Sequence, residues 1–511
     1  MNPTPTLTAL ASFTPVPSRH SNNAVDISVG STVPEGLDAI GYLIQPAADL
    51  PAGLGVGWEA LRRVGFEGKP CEILTLPRDG GPIVFACGAG ETAGDTGAEL
   101  RAAAANFARA ASRFERIAVV PGAMAAGDAA LAGQCLTEGA LLARYRFTEL
   151  RPTAAVTPLV SLDIVVPVES AAALQRGTRR GEILARVTNL VRDLVNTPPG
   201  YLTAARFAEV ATRLGEEEGL TVEVADRTRL VELGCGGLLG VNAGSSEEPR
   251  MITLTYTPSP HHASAGETPR LLALVGKGIM YDSGGISLKP SDESHLAMKM
   301  DMAGAAAVLG SMLALGDLGC PVEVTGYLMC TDNMPSGSAV KLGDVLTIHG
   351  GTTVEVKNTD AEGRLVMSDA LVLASEQSPD AIVDIATLTG AALMALGPRI
   401  AAVIGNNQNL IDRVTAAGRK TDEALWQLPL EHHYRRQLDS EVADLSNMAG
   451  KYAGATTAAL FLNEFVAGIP WAHLDIAGTM RSDVEDEWRT RGATGFGTRL
   501  LVELALGFAT R

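Results

Sequence analysis

The chain has 511 residues, of which 46% are hydrophobic and 19% are charged. This composition can bury a large core, and the length exceeds that of one ordinary domain of about 100 to 200 residues, so we expect a globular protein of two domains. The formal net charge of −17 argues against broad binding to nucleic acid or to anionic membranes, because phosphate groups would be repelled.

The N-terminus and the cysteines indicate the compartment. No apolar run reaches the roughly 18 residues that a membrane helix needs, and the first 18 residues lack the basic and apolar regions of a signal peptide. The six cysteines are scattered without a CxxC pair, which is typical of reduced, mostly buried thiols. We therefore expect a cytoplasmic protein without a membrane partner.

Residues 1–25 are rich in Thr, Pro and Ser and are predicted to be a mobile N-terminus. Residues 26–168 alternate between short β-type runs and helical runs, which indicates a small N-terminal α/β domain with a parallel or mixed sheet. The clearest of these runs are the strands Ile83–Cys87, Arg116–Val120 and Val160–Val166 and the helix Glu99–Phe114.

A long helical pattern over 170–195 ends at the breaker Asn196–Gly200, so 169–197 is predicted to be a linker helix at the domain boundary. Residues 198–511 then form the larger, C-terminal domain. Its β-type and helical runs alternate as in βαβ units, which predicts an α/β fold with a mainly parallel central sheet flanked by helices. The predicted strands are 251–256, 271–275, 323–330, 352–357, 381–386, 401–404 and 471–476, and the predicted helices include Ala303–Leu318 and Met367–Ser375.

Polar residues follow two of these strands, where ligands bind in open α/β sheets. Lys277 and Asp282 come after the strand at 271–275, and Asp360 and Glu362 come after the strand at 352–357. With Asp301 at a helix entry, four carboxylates would share one pocket, and they can do so as anions only if cations neutralise them. Two divalent metals would meet that demand, and oxygen ligands suit Mg or Mn and also accept Zn or Co.

Each of these motifs has an ordinary structural explanation when it is taken alone. An Asp-x-Glu pair in a loop is usually a solvated turn, and Gly276–Gly278 could be a turn with an extended lysine. Gly276–Lys277 lacks the spacing of a phosphate loop, and Ser283 is not in a nucleophile-elbow pattern. The functional interpretation depends on the motifs occurring together.

Three blocks resemble the signature sequences of the leucyl (cytosol) aminopeptidase family: Lys277–Gly285, Met298–Asp301 and Asn358–Leu365. Four further segments share the resemblance: Asp193–Pro199, Ala386–Gly390, Trp471–Gly478 and Ala493–Gly497. The resemblance covers 190–511, whereas the N-terminal third is similar mainly in size and α/β character.

The resemblance implies a role for each matching residue. One metal would be held by Asp282, Asp360 and Glu362, and the other by Lys277, Asp282, Asp301 and Glu362. Lys277 can ligate only as the neutral amine, which requires a strongly lowered pKa. Lys289 would stay cationic near the developing oxyanion, and Arg364 would hold a bicarbonate that acts as general base.

The resemblance also implies a pocket for the first side chain of the substrate. Met298, Asn358, Thr387 and Gly390 would line it, and the carbonyl of Leu388 would face the substrate. A thioether beside small residues suits Leu, Met or a similar apolar side chain. The family is typically a homohexamer. Small departures occur, such as Tyr281 for a common Phe, Ala303 for a common Gly and Asp332 for a usual Glu.

The sequence therefore predicts a metal-dependent aminopeptidase that releases N-terminal amino acids from peptide substrates. Two alternatives stay open: another two-metal hydrolase such as a phosphoesterase, and a non-catalytic scaffold or regulator with the same fold. A phosphoesterase would be expected to show a cluster of His ligands or a basic phosphate cradle, and the sequence shows no such cluster or cradle near 277–301.

Overall fold

The computed structural model describes residues 13–19, 24–91, 97–125, 127–151, 156–259 and 270–509. They form two compact units, and the chain passes from one to the other between Leu190 and Val191, inside the helix predicted as the linker. The N-terminal unit comprises Val16–Leu190 and Ser482–Gly492. The C-terminal unit comprises Val191–Arg481, the described residues from Ala493 onward and those up to Pro15. Most of the predicted mobile terminus, 1–25, lies outside the described residues.

The N-terminal unit is built on a six-stranded sheet of order β1-β6-β5-β2-β4-β3, in which every pairing is parallel except that of β3 with β4. The buried side of the helix Ala98–Ala110 is mostly alanine, which lets the helix Ala129–Arg144 pack closely against it. The elements are β1 (Asp26–Gly30), β2 (Ala39–Ile44), α1 (Trp58–Arg63), β3 (Ile73–Leu76), β4 (Ile83–Gly88), α2 (Ala98–Ala110), β5 (Arg116–Val120), α3 (Ala129–Arg144), β6 (Ser161–Val165) and α4 (Val168–Asn196), the last of which continues into the C-terminal unit.

The C-terminal unit begins with helices and then builds its main sheet. The elements up to the second central strand are α5 (Ala204–Glu217), β7 (Thr221–Ala225), α6 (Arg227–Leu233), α7 (Gly236–Asn242), β8 (Arg250–Tyr256), β9 (Leu271–Asp282), α8 (Glu293–Leu296), α9 (Ala303–Met312) and β10 (Glu323–Asn333). The elements after it are β11 (Val345–Thr347), β12 (Thr353–Glu355), α10 (Gly363–Glu376), β13 (Ala381–Ala386), α11 (Gly390–Leu396), β14 (Ala401–Gly405), α12 (Gln408–Thr421), β15 (Leu425–Gln427), β16 (Leu445–Ser446), α13 (Gly454–Asn463), β17 (Trp471–Asp475), β18 (Arg481–Ser482), β19 (Gly492–Ala493) and α14 (Thr498–Leu506).

The main sheet has eight strands in the order β15-β14-β17-β13-β9-β10-β8-β7. Its four central strands, β17, β13, β9 and β10, are parallel to one another, whereas β8, β7 and the β14–β17 pairing are antiparallel. All six residues of β13 are buried, as expected for a parallel strand covered on both faces. The predicted α/β fold, with a mainly parallel sheet in the larger unit, is confirmed.

Two differences between the predicted and observed strands affect the site. Strand β9 continues to Asp282, although the sequence analysis ended it at 275. The strand predicted at 352–357 is shorter and lies in a separate three-stranded sheet of order β11-β12-β16. Gly350 and Gly351 both have positive φ and turn the chain directly back, so β12 pairs with its neighbour β11 and not with the main sheet.

No helix in the described ranges is long and apolar enough to cross a membrane. All six cysteines are free, and each is buried except Cys71. The prediction of mostly buried thiols is confirmed.

Candidate active site

Lys277 lies within β9, and its neighbours along that face of the strand are apolar core residues. The ordinary alternative for Gly276–Gly278, a turn, is excluded because these residues lie within β9. A Cβ atom on Gly276 would lie 2.6 Å from the Cα of Ala305, and one on Gly278 would lie 2.6 Å from the carbonyl oxygen of Met329. The glycines therefore allow α9 and β10 to approach closely a strand that carries one buried lysine.

The ammonium of Lys277 is surrounded by oxygen atoms. Its Nζ lies 2.9 Å from both carboxylate oxygens of Asp301, 2.9 Å from Oε1 of Glu362 and 3.0 Å from the carbonyl oxygen of Thr387. Asp301 stands between a 3-10 turn and helix α9, and the hydroxyl of Thr387 donates to its Oδ1 at 2.6 Å. Lys277 thus joins three separate chain segments at one buried point.

Three carboxylates converge beside this lysine. Asp282 ends β9, Asp360 lies in the loop after β12, and Glu362 immediately precedes α10. One ligand oxygen from each lies within 4.8 Å of the others. The Nζ of Lys289 contacts Oδ2 of Asp282 at 2.8 Å and Oδ1 of Asp360 at 2.5 Å. The four predicted carboxylates and both predicted lysines are therefore brought together.

Burial and mutual repulsion raise the pKa values of the carboxyl groups. Burial, followed by the charge of Asp282, raises the pKa of Glu362 to about 8. Burial also raises the pKa of Asp301 to about 6, although the Lys277 ammonium opposes this. The pKa of Asp360 is raised, again first by burial and then by Asp282. Within the polypeptide alone, this cluster has more negative charge than its lysines offset.

The pKa values of the two lysines are raised as well, but neighbouring charges are the cause and burial opposes them. Burial lowers the pKa of Lys277, but the Asp301 and Glu362 carboxylates outweigh it and the net pKa lies above the ordinary value. Burial likewise acts against the Lys289 ammonium, and Asp282 and Asp360 raise its pKa. The protein's own charges therefore favour the ammonium form of both lysines. A neutral Lys277, as the resemblance implies, would need additional positive charge in the cluster.

The donor set fits divalent cations. Glu362 is 2% exposed, and its Oε2 accepts no hydrogen bond within the part of the chain that is described. A buried carboxylate oxygen without a donor is costly unless a cation or water satisfies it. Hard oxygen ligands with one amine suit Mg, Mn, Zn or Co, so the residues present could hold such metals.

The loop that carries Asp360 and Glu362 is held by a residue to which the sequence analysis gave no role. The side chain of Asn447 donates to the carbonyl oxygens of Asn358 at 2.7 Å and Ala361 at 3.3 Å, and it accepts from the backbone N–H of Lys357 at 2.8 Å. Asn447 is fully buried. Its side chain supplies hydrogen bonds to backbone groups of this irregular loop, which in a helix or sheet would be bonded to other backbone groups.

Three of the predicted substrate residues lie on the segment after β13. Thr387 is buried and uses its hydroxyl on Asp301, whereas Leu388 is half-buried and Gly390 is exposed with open space on its Cβ side. The carboxylate of Asp475 fixes this segment by accepting from the N–H groups of Leu388 and Thr389 and from the Thr389 hydroxyl. Thr387 therefore supports a carboxylate of the cluster, in addition to its predicted position near the pocket.

The other two predicted substrate residues flank the carboxylates along the chain. Met298 is half-buried, and its carbonyl oxygen accepts from the backbone N–H of Asp301 at 3.3 Å. Asn358 is half-buried, and its side chain accepts from the backbone N–H of Asp360 at 2.9 Å. Each of these residues is thus hydrogen-bonded to the backbone of a predicted ligand.

Arg364 lies in the first turn of α10 and is 6% exposed. Its Nε and one terminal nitrogen are buried without a hydrogen-bond partner among the residues described. Burial lowers the pKa of Arg364 to about 10, so the guanidinium is still charged at neutral pH. Two buried, unpaired N–H donors on a cation suit a small anion.

A second buried polar group lies on β13 and β17, which the sequence analysis did not identify. Asp384 accepts a hydrogen bond of 2.6 Å from Trp471 and contacts Nδ1 of His473 at 2.5 Å. Burial lowers the pKa of His473, but Asp384 outweighs it and the net pKa is raised. This group balances its own charges and brings no surplus carboxylate to the cluster.

The chain was compared with protein families and with known proteins. Residues 189–502 match the catalytic domain of the cytosol aminopeptidase family, and residues 45–153 match the N-terminal domain of the same family. A probable cytosol aminopeptidase of Streptomyces avermitilis is 40% identical and covers 98% of both chains. One from Alkaliphilus metalliredigens is 42% identical over 86% of this chain and 88% of its own.

Solved structures agree with this family assignment. The bottromycin maturation enzyme BotP in complex with Mn is 39% identical, with a TM-score of 0.84 over 93% of this chain and 100% of that one. A mutant of tomato leucine aminopeptidase is 31% identical, with a TM-score of 0.85 over 96% of this chain and 98% of the other.

The fold and the carboxylate cluster, together with these likenesses, define a metal-dependent peptidase of the aminopeptidase class. Within that class, the chain belongs to the cytosol aminopeptidase family.

Proposed function

We propose that this protein is a two-metal aminopeptidase that releases N-terminal amino acids, with a preference for apolar residues such as leucine, from peptides. The observation that carries the proposal is the convergence of Asp282, Asp360 and Glu362 within 4.8 Å, beside Lys277 and Asp301. One metal would be held by the three converging carboxylates. The other would be held by Lys277, Asp282, Asp301 and Glu362.

Two divalent cations at these residues, Mn or Zn in the first instance and Mg or Co as alternatives, would supply Lewis acidity toward the peptide carbonyl and the attacking water. The BotP structure in complex with Mn supports manganese as a candidate. Stabilisation of the oxyanion, binding of an anion and recognition of the substrate side chain are assigned to residues of this protein.

Lys289 is assigned to the developing oxyanion. It is 18% exposed and its Nζ lies between Asp282 and Asp360, so a cation is fixed at the open edge of the cluster. A preorganised positive charge at that point stabilises negative charge on the substrate oxygen in the transition state. The high pKa of Lys289 keeps it charged at neutral pH.

Arg364 is assigned to holding a bicarbonate ion, which would supply a base for the attacking water. Its Nε and one terminal nitrogen are buried and have no hydrogen-bond partner in the described part of the chain, and this supports the assignment. The guanidinium itself stays protonated and orients the anion.

The first side chain of the substrate is assigned to a pocket of Met298, Asn358, Thr387, Leu388 and Gly390. A flexible thioether beside a residue without a side chain suits Leu or Met. The open space at Gly390 supports room for a side chain of that size.

Assembly into a homohexamer in the cytoplasm is part of the same proposal, and light scattering of the purified protein would measure its mass.

Hydrolysis of leucine p-nitroanilide with Mn or Zn, before and after chelation, tests the proposal. We expect metal-dependent release of nitroaniline that chelation abolishes and added metal restores. N-acetyl-leucine p-nitroanilide is the matched control, because its blocked amine should prevent cleavage by an enzyme confined to N-terminal residues. No metal-dependent release from the free-amine substrate would refute the proposal, and hydrolysis of p-nitrophenyl phosphate in its place would favour a phosphoesterase.

A further inference from the structure

Asn333 is the last residue of β10 and is 2% exposed. Strands β9 and β10 run parallel and in register up to Thr331, which faces Ile279, but Asn333 faces Asp282. Three residues of β9 therefore advance against two of β10, which is a bulge. This irregularity brings the Asn333 side chain level with Asp282, a predicted metal ligand.

The amide nitrogen of Asn333 donates in two directions. One hydrogen bond of 2.9 Å reaches Oδ1 of Asp282, and another of 2.9 Å reaches the carbonyl oxygen of Thr359. Thr359 directly precedes Asp360 in the second ligand-bearing segment. One neutral amide group thus joins the end of β9 to the loop that carries the other two converging carboxylates.

The backbone of Asn333 secures the same junction. Its carbonyl oxygen accepts from the hydroxyl of Ser283 at 2.7 Å and from the backbone N–H of Ser283 at 3.1 Å. A Cβ atom on Gly285, where φ is +64°, would lie 2.8 Å from Oδ1 of Asn333 and 3.0 Å from Oγ1 of Thr359. The chain beyond Asp282 therefore folds tightly over this amide.

The side-chain amide of Asn333 is an uncharged donor, whereas Lys277 and Lys289 are cationic donors. Lys289 also contacts both segments, but its cation offsets carboxylate charge and would oppose a bound metal. Asn333 fixes the position of Asp282 without that opposition. Groups that orient ligands in this way set metal affinity, and their loss typically costs about 10- to 100-fold.

We infer that Asn333 is a positioning residue, which holds Asp282 against the Thr359–Glu362 segment so that the carboxylates converge before a metal arrives. The inference rests on the proposed function, since it concerns the same site. It predicts that loss of the amide weakens metal binding more than it weakens the fold.

The test measures Mn binding by isothermal titration calorimetry on the full-length wild type and on Asn333→Ala, each stripped of metal beforehand. We expect binding of Mn to Asn333→Ala to be about 10- to 100-fold weaker. Activity on leucine p-nitroanilide should recover toward the wild-type kcat when Mn is raised, so the defect lies in the metal requirement. Asn333→Ser, which keeps a smaller polar group, is measured alongside and should fall short of wild type in the same way.

Asn242→Ala provides the matched control. Asn242 is equally buried and its amide also donates twice, to the carbonyl oxygen of Glu247 at 2.8 Å and to Oγ1 of Thr331 at 3.0 Å, but it contacts no predicted ligand. It should bind Mn within about 3-fold of wild type, well inside the 10- to 100-fold loss expected at Asn333.

Unchanged Mn affinity in either folded Asn333 variant would overturn the inference and leave the proposed function intact. Failure of both variants to fold would also overturn it, because Asn333 would then serve the fold. If the wild type bound Mn yet cleaved no free-amine substrate, the proposed function would fail while the affinity comparison still decided the role of Asn333.

Discussion

A buried group of charges in the N-terminal unit and the carboxylate cluster of the C-terminal unit differ in balance. In the N-terminal unit, Arg101 and Glu138 are fully buried and pair at 2.6 Å, and Gln134 donates to the other carboxylate oxygen at 2.7 Å. In the C-terminal unit, four carboxylates surround two lysines. A paired arginine and glutamate neutralise each other's charge within the fold, whereas surplus carboxylates need a cation that the polypeptide does not supply. The imbalance marks the site that acts on a ligand.

The largest expected effect is that of Glu362→Ala. Glu362 contacts Lys277 and carries the buried Oε2 that has no donor among the described residues, so its loss removes an oxygen proposed to serve both metals. We expect hydrolysis of leucine p-nitroanilide to fall below detection, while circular dichroism shows a folded chain.

Glu138→Ala is the matched change in the other group. It leaves Arg101 buried without that carboxylate, which should cost about 3 to 5 kcal/mol of stability, measured by urea unfolding. Its folded fraction should bind metal as wild type does. If Glu362→Ala and Glu138→Ala lost activity equally under conditions where both are folded, the two groups of charges would not differ in function.

A smaller effect is expected for Lys289→Ala. Removing one preorganised charge from an oxyanion site typically lowers kcat by about 10² to 10³. Because Lys289 contacts Asp282 and Asp360, its loss should leave metal affinity equal or stronger. Steady-state kinetics and Mn titration measure the two quantities separately, and full kcat in this variant would show that the role assigned to Lys289 is wrong.

The smallest effect concerns Asp369 on α10, a buried carboxylate in neither group, which accepts from the backbone N–H groups of Leu238 and His349. Burial raises its pKa to about 6. A raised carboxyl pKa stabilises the fold below the unfolded pKa, near 3.8, and that contribution disappears as the pH rises through 6.

The stability advantage of wild type over Asp369→Asn should therefore shrink by about 3 kcal/mol between pH 3.8 and pH 6. Urea unfolding of both proteins at several pH values measures the change, and other titrating groups cancel in the difference. An advantage that grows with pH would mean that the Asp369 carboxylate is stabilised by its backbone donors more than burial opposes it.

Much of the site could be predicted because its residues are close in sequence. Asp360, Glu362 and Arg364 lie in one octapeptide, and Asp282 and Lys289 follow from β9, so spacing and resemblance located them. Lys277 was found by the same route, but its setting was misjudged. Glycines beside a lysine are typical of a turn, and close packing against Ala305 is not visible in a linear sequence.

The supporting residues were missed because their contacts are distant along the chain. Asn333 reaches Asp282 across 51 residues and Asn447 reaches Asn358 across 89, and an asparagine near a strand end has no signal of its own. The small sheet that contains β12 also depends on a distant partner, since β16 lies about 90 residues later. Such contacts are set by tertiary packing, which local pattern does not encode.

The most direct test of the central claim is a metal count per chain by inductively coupled plasma mass spectrometry, after saturation with Mn and removal of free ion. We expect two Mn per wild-type chain and a loss of bound metal in Glu362→Ala, with Glu138→Ala unchanged. A wild-type chain that binds no Mn, or a Glu362→Ala chain that binds as much as the wild type, would contradict that claim.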